Sequence, residues 1–487
     1  MKSIKKNLVY NILYQILLVI LPLATAPYIS RKLGAEAIGI YSYTYAIANY
    51  FMIFAMLGIS NHGNRSIAIN RDDIDKRSKT FINIYTIQII TFMISIVCYI
   101  IYIIFCVKEN TLFFGLQLAF LASGLFDISW LYFGLEEFKT TVTRNFIVKI
   151  VTFVLIFIFI KTSDDLWKYT IIYSFGNLLS QVYLWFNIKK YINFAKPDIK
   201  EMKKNVKPIL VLFIPVIAYS IYKIMDKVML GSMVSKVQVG YYESSEKIIN
   251  IPVGIITAFG TVMLPRMSNL ISKDNKEKAL EYIKLSFKVI TIIATAISFG
   301  LMGISNVLAP VFFGEEFRKC SAIIELLSVS VFFVSWANII RTQYLIPKKL
   351  DKVYVLSTIT GAVVNLILNL ILIPRLEAVG AAIGTVAAEF SVFIIQDIFT
   401  EKNIHSIKVI IKQIPYIIFG FIMFGIIKII ENILSISLIT LSIQIILGAT
   451  VFCVLSLLYI MFVDKEIKKY FLNIFNWIIV KFNFKNV

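Results

Sequence analysis

Apolar runs of about 20 residues recur along nearly the whole chain, each long enough to cross a hydrocarbon core roughly 30 Å thick, with short polar connectors between them. The pattern predicts about fourteen membrane-spanning helices, with centres near residues 19, 50, 93, 122, 151, 178, 218, 252, 293, 333, 363, 389, 419 and 449. No sizeable soluble domain fits between them. The first run starts at Leu8 behind Lys2, Lys5 and Lys6, continues past Pro22 to Ile29 and lacks a small-residue cleavage site, so it is expected to be a retained span.

The connectors differ by side. Those at 62–79, 189–207, 266–284, 347–352 and 401–412 hold the basic clusters, and about 33 of the 49 Lys and Arg residues fall on that side of the predicted layout. Basic residues collect in the cytoplasm, so both termini are expected there. The opposite connectors are short and comparatively acidic, with Glu109, Asp164, Asp165, Glu315, Glu316, Glu377 and Glu431.

Composition agrees: of 487 residues, 58% are hydrophobic and only 16% charged, a balance that suits the bilayer rather than water. A formal charge of +20 could signal nucleic acid, but the cations sit in separate connectors rather than on one continuous face. Cys98, Cys106, Cys320 and Cys453 lie in or beside apolar spans, and His62 and His405 in polar connectors; neither a disulfide framework nor a metal site is expected.

The order of short motifs suggests two halves. Pro22, Leu33-Gly34 and Gly39-Ile40-Tyr41-Ser42 are echoed by Pro215, Leu230-Gly231 and Gly240-Tyr241-Tyr242-Glu243, and Ile128-Ser129-Trp130 by Val334-Ser335-Trp336, both displaced by about 200 residues. The expected fold is therefore all-α: an N-lobe over 1–190, a basic cytoplasmic linker over 191–207 and a C-lobe over 208–400. A helix pair and basic tail over 401–487 complete it. Six spans return the chain to the same side, so the lobes would be parallel repeats, as in transporters that bind substrate between halves.

Pro27-Tyr28-Ile29-Ser30-Arg31-Lys32-Leu33-Gly34 leading to Gly39-Ile40-Tyr41-Ser42 resembles the opening of bacterial oligosaccharide repeat-unit flippases. Asp127 through Glu136, Asp226-Lys227-Val228-Met229-Leu230-Gly231, Leu264-Pro265-Arg266, Gly314-Glu315-Glu316-Phe317, and Asn365 through Asn369 to Ile373-Pro374 are similar to later segments of that family. The resemblance implies membership of the multidrug, oligosaccharidyl-lipid and polysaccharide exporter superfamily, and a fold like that of its multidrug exporters. It also implies a non-enzymatic protein that moves polyprenyl-pyrophosphate-linked oligosaccharides outward across the bacterial cytoplasmic membrane by alternating access. Coupling would be to a proton or sodium gradient, without a bound cofactor. The remaining implied partners are membrane lipids and the polymerase and chain-length or export proteins of a surface polysaccharide.

An anionic headgroup crossing hydrocarbon needs a hydrated, positively charged path, because an unpaired buried charge costs at least several kcal/mol. Tyr219, Lys223, Asp226 and Lys227 share one face of the seventh span at three- and four-residue spacing. Lys223 and Lys227 are expected to attract pyrophosphate, with Asp226 pairing with one of them in the empty site; snorkelling to water is the alternative for both lysines. Arg341, with Asn338 one turn earlier, faces the same choice. Glu389 lies too deep to snorkel and is the leading candidate for ion coupling, with Asp226 and Asp127 as further coupling or gating candidates. Asp127 would pair with Lys149 or Arg341. Arg31 and Arg65 are candidates at helix ends, where lipid headgroup contacts compete as an explanation. Glu243, Glu246, Lys247 and Asn250 read as a solvated helix end.

Two other functions remain open at this point: a multidrug or small-cation exporter of the same superfamily, and a membrane-embedded polymerase or glycosyltransferase. Short basic connectors without a nucleotide-binding loop, metal cluster or nucleophile arrangement disfavour the enzyme.

Overall fold

The structure, a computed structural model, describes residues 2–193, 195–400, 404–464 and 466–468, with side chains from residue 21 onward except Tyr222. The described residues are helical apart from short turns and connectors, with no strand among them. On the division expected from the sequence, the N-lobe holds α1 (Lys2–Met56), α2 (Ile59–Ile69), α3 (Ile74–Cys106), α4 (Thr111–Leu125), α5 (Ser129–Gly134), α6 (Phe138–Phe159) and α7 (Leu166–Tyr183). The C-lobe comprises α8 (Ile199–Met233), α9 (Lys236–Ser272), α10 (Lys276–Phe313), α11 (Cys320–Ile340) and α12 (Asp351–Ile398). After α13 (Ser406–Ile411), the pair α14 (Ile414–Ile433) and α15 (Leu438–Phe462) packs on α10.

Eleven helices among the described residues are long and apolar enough to cross a membrane, fewer than the fourteen expected. Two of them, Leu21–Ile69 and Asp351–Ile398, are each interrupted, at Gly34 (φ 79°) and Glu377 (φ 52°). The turn at Gly34 uses a left-handed conformation that glycine adopts without steric cost. Polar Tyr, Asn, Ser and Gln side chains keep α7 out of the apolar class. The basic linker is also shorter than expected. It is non-helical only to Asp198, whose carboxylate caps α8 by accepting from the Lys200 backbone N–H at 2.8 Å, so 199–207 are the first turns of that helix.

Periodicity decides which faces meet lipid. On α3, Ile90, Met93, Ile94, Val97, Ile101 and Ile104 are exposed, whereas Gln88, Phe92, Ser95 and Tyr99 turn inward. Inside, polar groups need partners because hydrocarbon offers none. Gln88 donates to the carbonyls of Gly124 (2.8 Å) and Asp127 (2.9 Å), holding the break between α4 and α5, and accepts from the Trp130 indole at 3.1 Å. In the C-lobe the Trp336 indole donates to Thr291 at 2.9 Å. Trp130 on α5 thus bonds back to α3 and Trp336 on α11 to α10.

The lobes meet most closely where α1 crosses α9. A side chain at Gly39 would fall 1.6 Å from the Lys236 carbonyl oxygen, and one at Gly240 2.0 Å from that of Ala35, so only glycine permits this approach. Nearby, Arg31 donates to the Val311 carbonyl at 2.6 Å and the Ala35 backbone N–H donates to Glu316 at 3.0 Å. These contacts close the end of the bundle that carries the acidic connectors.

Candidate functional site

Below that closure, α8, α9, α11 and α12 surround a cavity of about 500 Å³. The four-residue spacing of Tyr219, Lys223 and Lys227 on α8 brings all three onto its wall. From α9 come Glu246 and Asn250, from α11 Asn338, and from α12 Tyr354, Glu389 and Gln396. Arg341 enters on a π-helical turn, Arg341–Leu345, which ends α11 and shifts the register of the side chains that follow.

The charges form two groups. Lys223 Nζ lies 3.6 Å from Glu389 Oε1, a carboxylate only 6% exposed. Lys227 reaches both Glu243 (2.5 Å) and Glu246 (2.9 Å), and Lys247 reaches Glu243 at 3.2 Å. With Arg341, four cations face three carboxylates, an excess of one formal positive charge in an apolar bundle. The Lys223–Glu389 separation is a Coulombic contact longer than a hydrogen bond, and an arriving anion could replace it.

Several expected roles change. Lys227 is not a snorkelling residue: it is the centre of a buried cluster. Glu243, Glu246, Lys247 and Asn250 are not a solvated helix end, because the crossing of α1 and α9 draws this stretch between the lobes. Asp226 turns away from the lysine face towards α9 and α12, where Tyr242 (2.6 Å), Thr385 (2.7 Å) and Asn369 donate to it. One further residue around the helix is enough to separate it from Lys223 and Lys227, which sit four apart. Asn369 in turn donates to Asn365 at 3.2 Å.

Asp127 accepts from the Ser129 backbone N–H at 2.9 Å in the turn that leads into α5; its described contacts include neither Lys149 nor Arg341. Arg31, exposed at its helix end, makes the contact to the Val311 carbonyl described above and borders neither cavity. Arg65 is exposed on α2 and borders neither cavity described here.

A second cavity of about 920 Å³ lies between α1, α6, α7 and α9, and shares Asn250 and Gly254 with the first. The sequence reading missed this N-lobe hollow, and with it Tyr169, Tyr173 and Asn177, since tyrosine and asparagine in a span carry no charge to single them out. In the C-lobe the missed wall residues are Tyr354, Thr358 and Gln396. Their signal was present in part: polar positions 354, 358 and 365 recur within an apolar helix at helical spacing.

Residues 4–271 match the family model described as polysaccharide biosynthesis protein. The chain is 23% identical over 406 residues to a putative O-antigen transporter of Escherichia coli (strain K12), covering 82% of this chain and 97% of that protein. It is 25% identical over 303 residues to the probable low-salt glycan biosynthesis flippase Agl15 of Haloferax volcanii, covering 62% and 64% respectively. Among solved structures, the lipid II flippase MurJ in an inward closed conformation superposes with a TM-score of 0.69 at 15% identity, over 93% of this chain and 98% of that one. An inward-facing multidrug resistance transporter of the MATE family superposes at 0.59 and 16% identity, over 86% and 96%. By name these relatives are transporters and flippases, not enzymes. The chain belongs to the polysaccharide biosynthesis protein family and, with eleven helices among its described residues long and apolar enough to cross a membrane, is a multi-pass membrane protein.

Proposed function

We propose that this protein flips polyprenyl-pyrophosphate-linked oligosaccharide units from the inner to the outer leaflet of the bacterial cytoplasmic membrane, supplying surface polysaccharide synthesis. The observation that carries the reading is the charged cavity between α8, α9, α11 and α12, where Lys223, Lys227 and Arg341 line one space inside an apolar bundle. A pyrophosphate entering it would take over the Lys223 contact now made by Glu389, and gain Arg341 as a planar, bidentate donor. Relatives named as O-antigen transporters and as a glycan biosynthesis flippase support the same substrate class.

Alternating access would use the contacts at the acidic end as its outer gate. Arg31 and Glu316 tie the lobes together at the acidic end, and the positive-inside pattern assigns that end to the outside and both termini to the cytoplasm. Outward opening would break those two contacts and must be driven by differential binding in the cavity. Coupling to a proton or sodium gradient rests on two buried carboxylates. Glu389 loses its cation to the substrate and is then stabilised by a proton or metal cation, while Asp226 sits in a cradle of hydroxyl and amide groups. A polymerase and the chain-length or export proteins of the same polysaccharide would receive the product.

Reconstituted into vesicles, the protein should expose a labelled polyprenyl-pyrophosphate oligosaccharide in the opposite leaflet in a gradient-sensitive manner, with exposure lost in Lys223→Ala and Glu389→Gln. Efflux of small organic cations without lipid exposure would instead place the protein with the multidrug exporters.

A further inference from the structure

The N-lobe hollow differs chemically from the charged cavity beside it. Among the described residues no carboxylate lines it, and its walls are largely apolar apart from two lysines and a few hydroxyl and amide groups. Tyr169 and Tyr173, one turn apart on α7, both border it, and their ring centroids are 4.8 Å apart. Tyr41 packs edge-on against Tyr169 at 4.8 Å and tilted against Tyr173 at 5.7 Å, and Tyr45 stacks on Tyr41 at 5.9 Å. The four tyrosines brace one another, so the two that meet the hollow are fixed before any ligand arrives. One turn further along α7, Asn177 donates to the Tyr173 carbonyl at 2.8 Å and borders the same space with Asn250 and Thr152.

Each class of occupant makes a different demand. An alkyl chain would strip water from Asn177, Asn250 and Thr152 and return no hydrogen bond, which is costly inside a membrane protein. A phosphate would find more cations in the adjoining cavity. A pyranose ring has an apolar C–H face and a rim of hydroxyls that both donate and accept, which matches a tyrosine platform edged by amides.

We infer that this hollow is a sugar subsite, in which Tyr173, backed by the buried Tyr169, holds the first pyranose ring of the glycan while the charged cavity holds the pyrophosphate. The inference rests on the flippase reading above. Because Asn250 and Gly254 border both spaces, one continuous ligand can occupy the two at once. Tyr41 and Tyr45 act as positioning residues behind the platform.

The test compares binding of two probes to the intact protein in lipid nanodiscs: bare polyprenyl pyrophosphate, and the same lipid carrying a trisaccharide of neutral hexoses. The intact protein should prefer the glycosylated lipid. Tyr173→Ala should lower affinity for that probe about tenfold and leave the bare lipid unchanged, and Tyr173→Phe should retain most of the preference. Asn177→Ala, at an exposed position, tests the polar edge without disturbing the tyrosine packing and should weaken only the glycosylated probe. Equal losses for both probes would assign the hollow to the lipid chain or to the fold, and unchanged binding in both alanine variants would remove it from the ligand path; either overturns the subsite. Failure of the intact protein to bind either probe would overturn the flippase reading itself, and the subsite with it.

Discussion

Gly254 offers a direct way to test whether the two cavities form one path. It borders both, and a side chain added there would meet nothing within 4 Å, so bulk at this position projects into the cavity and not into packed protein. Gly254→Ala should therefore fold normally and gain up to about 1 kcal/mol from helix propensity. Gly254→Trp should fold as well but occupy the junction that a substrate spanning both spaces must fill. Displacing about one apolar side chain's worth of buried ligand surface costs about 1.5–3 kcal/mol, or roughly 10- to 150-fold in apparent affinity. The assay is leaflet exposure of a labelled lipid-linked oligosaccharide in vesicles as a function of its concentration, with thermal unfolding of each variant in parallel. A tryptophan variant that unfolds at the normal temperature and transports at the normal half-saturating concentration would refute the continuous path. One that loses thermal stability would show that the space around Gly254 is not open.

Other residues give further tests. Replacing Lys223 alone leaves Glu389 buried without that partner, so Lys223→Ala should destabilise more than the double change Lys223→Ala with Glu389→Gln, by about 1–3 kcal/mol in thermal or chemical unfolding. Arg31→Ala and Glu316→Ala each remove one contact that closes the acidic end. In a background with Cys98, Cys106 and Cys453 changed to serine, labelling of buried Cys320 by an impermeant maleimide should rise about tenfold in each. Asp165, at the start of α7, is held well below the usual carboxylate range by Lys168 and by the backbone N–H groups of Lys161 and Thr162. A carboxyl whose folded pKa is depressed stabilises the fold fully above its unfolded value of about 3.9, and that contribution is lost as pH falls below it. Asp165→Asn should accordingly flatten the acid limb of the stability profile and leave stability equally insensitive to pH between neutrality and pH 5.

How much of this could be read from the chain depends on what each feature needs. Span positions follow from runs of apolar residues, a local property, so the helices lie close to their expected centres. Eleven separate apolar helices stand where fourteen spans were expected because a left-handed residue at Gly34 or Glu377 turns the chain without a polar connector, so that two expected spans run on as one helix, and because α7, expected as a span near 178, carries many polar side chains. The lysines of α8 were legible because a charge within a span is conspicuous and four-residue spacing fixes a shared face. Their partners were not, since Glu243 and Glu246 come from a different helix, and only the glycine-mediated crossing at Gly39 and Gly240 shows that this stretch is buried.

Asp226 shows the same limit at the scale of one residue. Spacing of three from Lys223 suggested a shared face, but one residue corresponds to about 100° of rotation on a helix, and the angle between Asp226 and Lys227 sends the carboxylate to α12. Charge alone would have paired it with a lysine; the hydroxyls of Tyr242 and Thr385 and the amide of Asn369 hold it instead. The consequence is functional: the lysines are left for Glu389, Glu243 and Glu246 at the cavity, and Asp226 is isolated from the substrate wall behind α8. Under the flippase reading proposed above, Asp226 would then respond to an ion from behind the cavity wall, whereas Glu389 would do so from the wall itself.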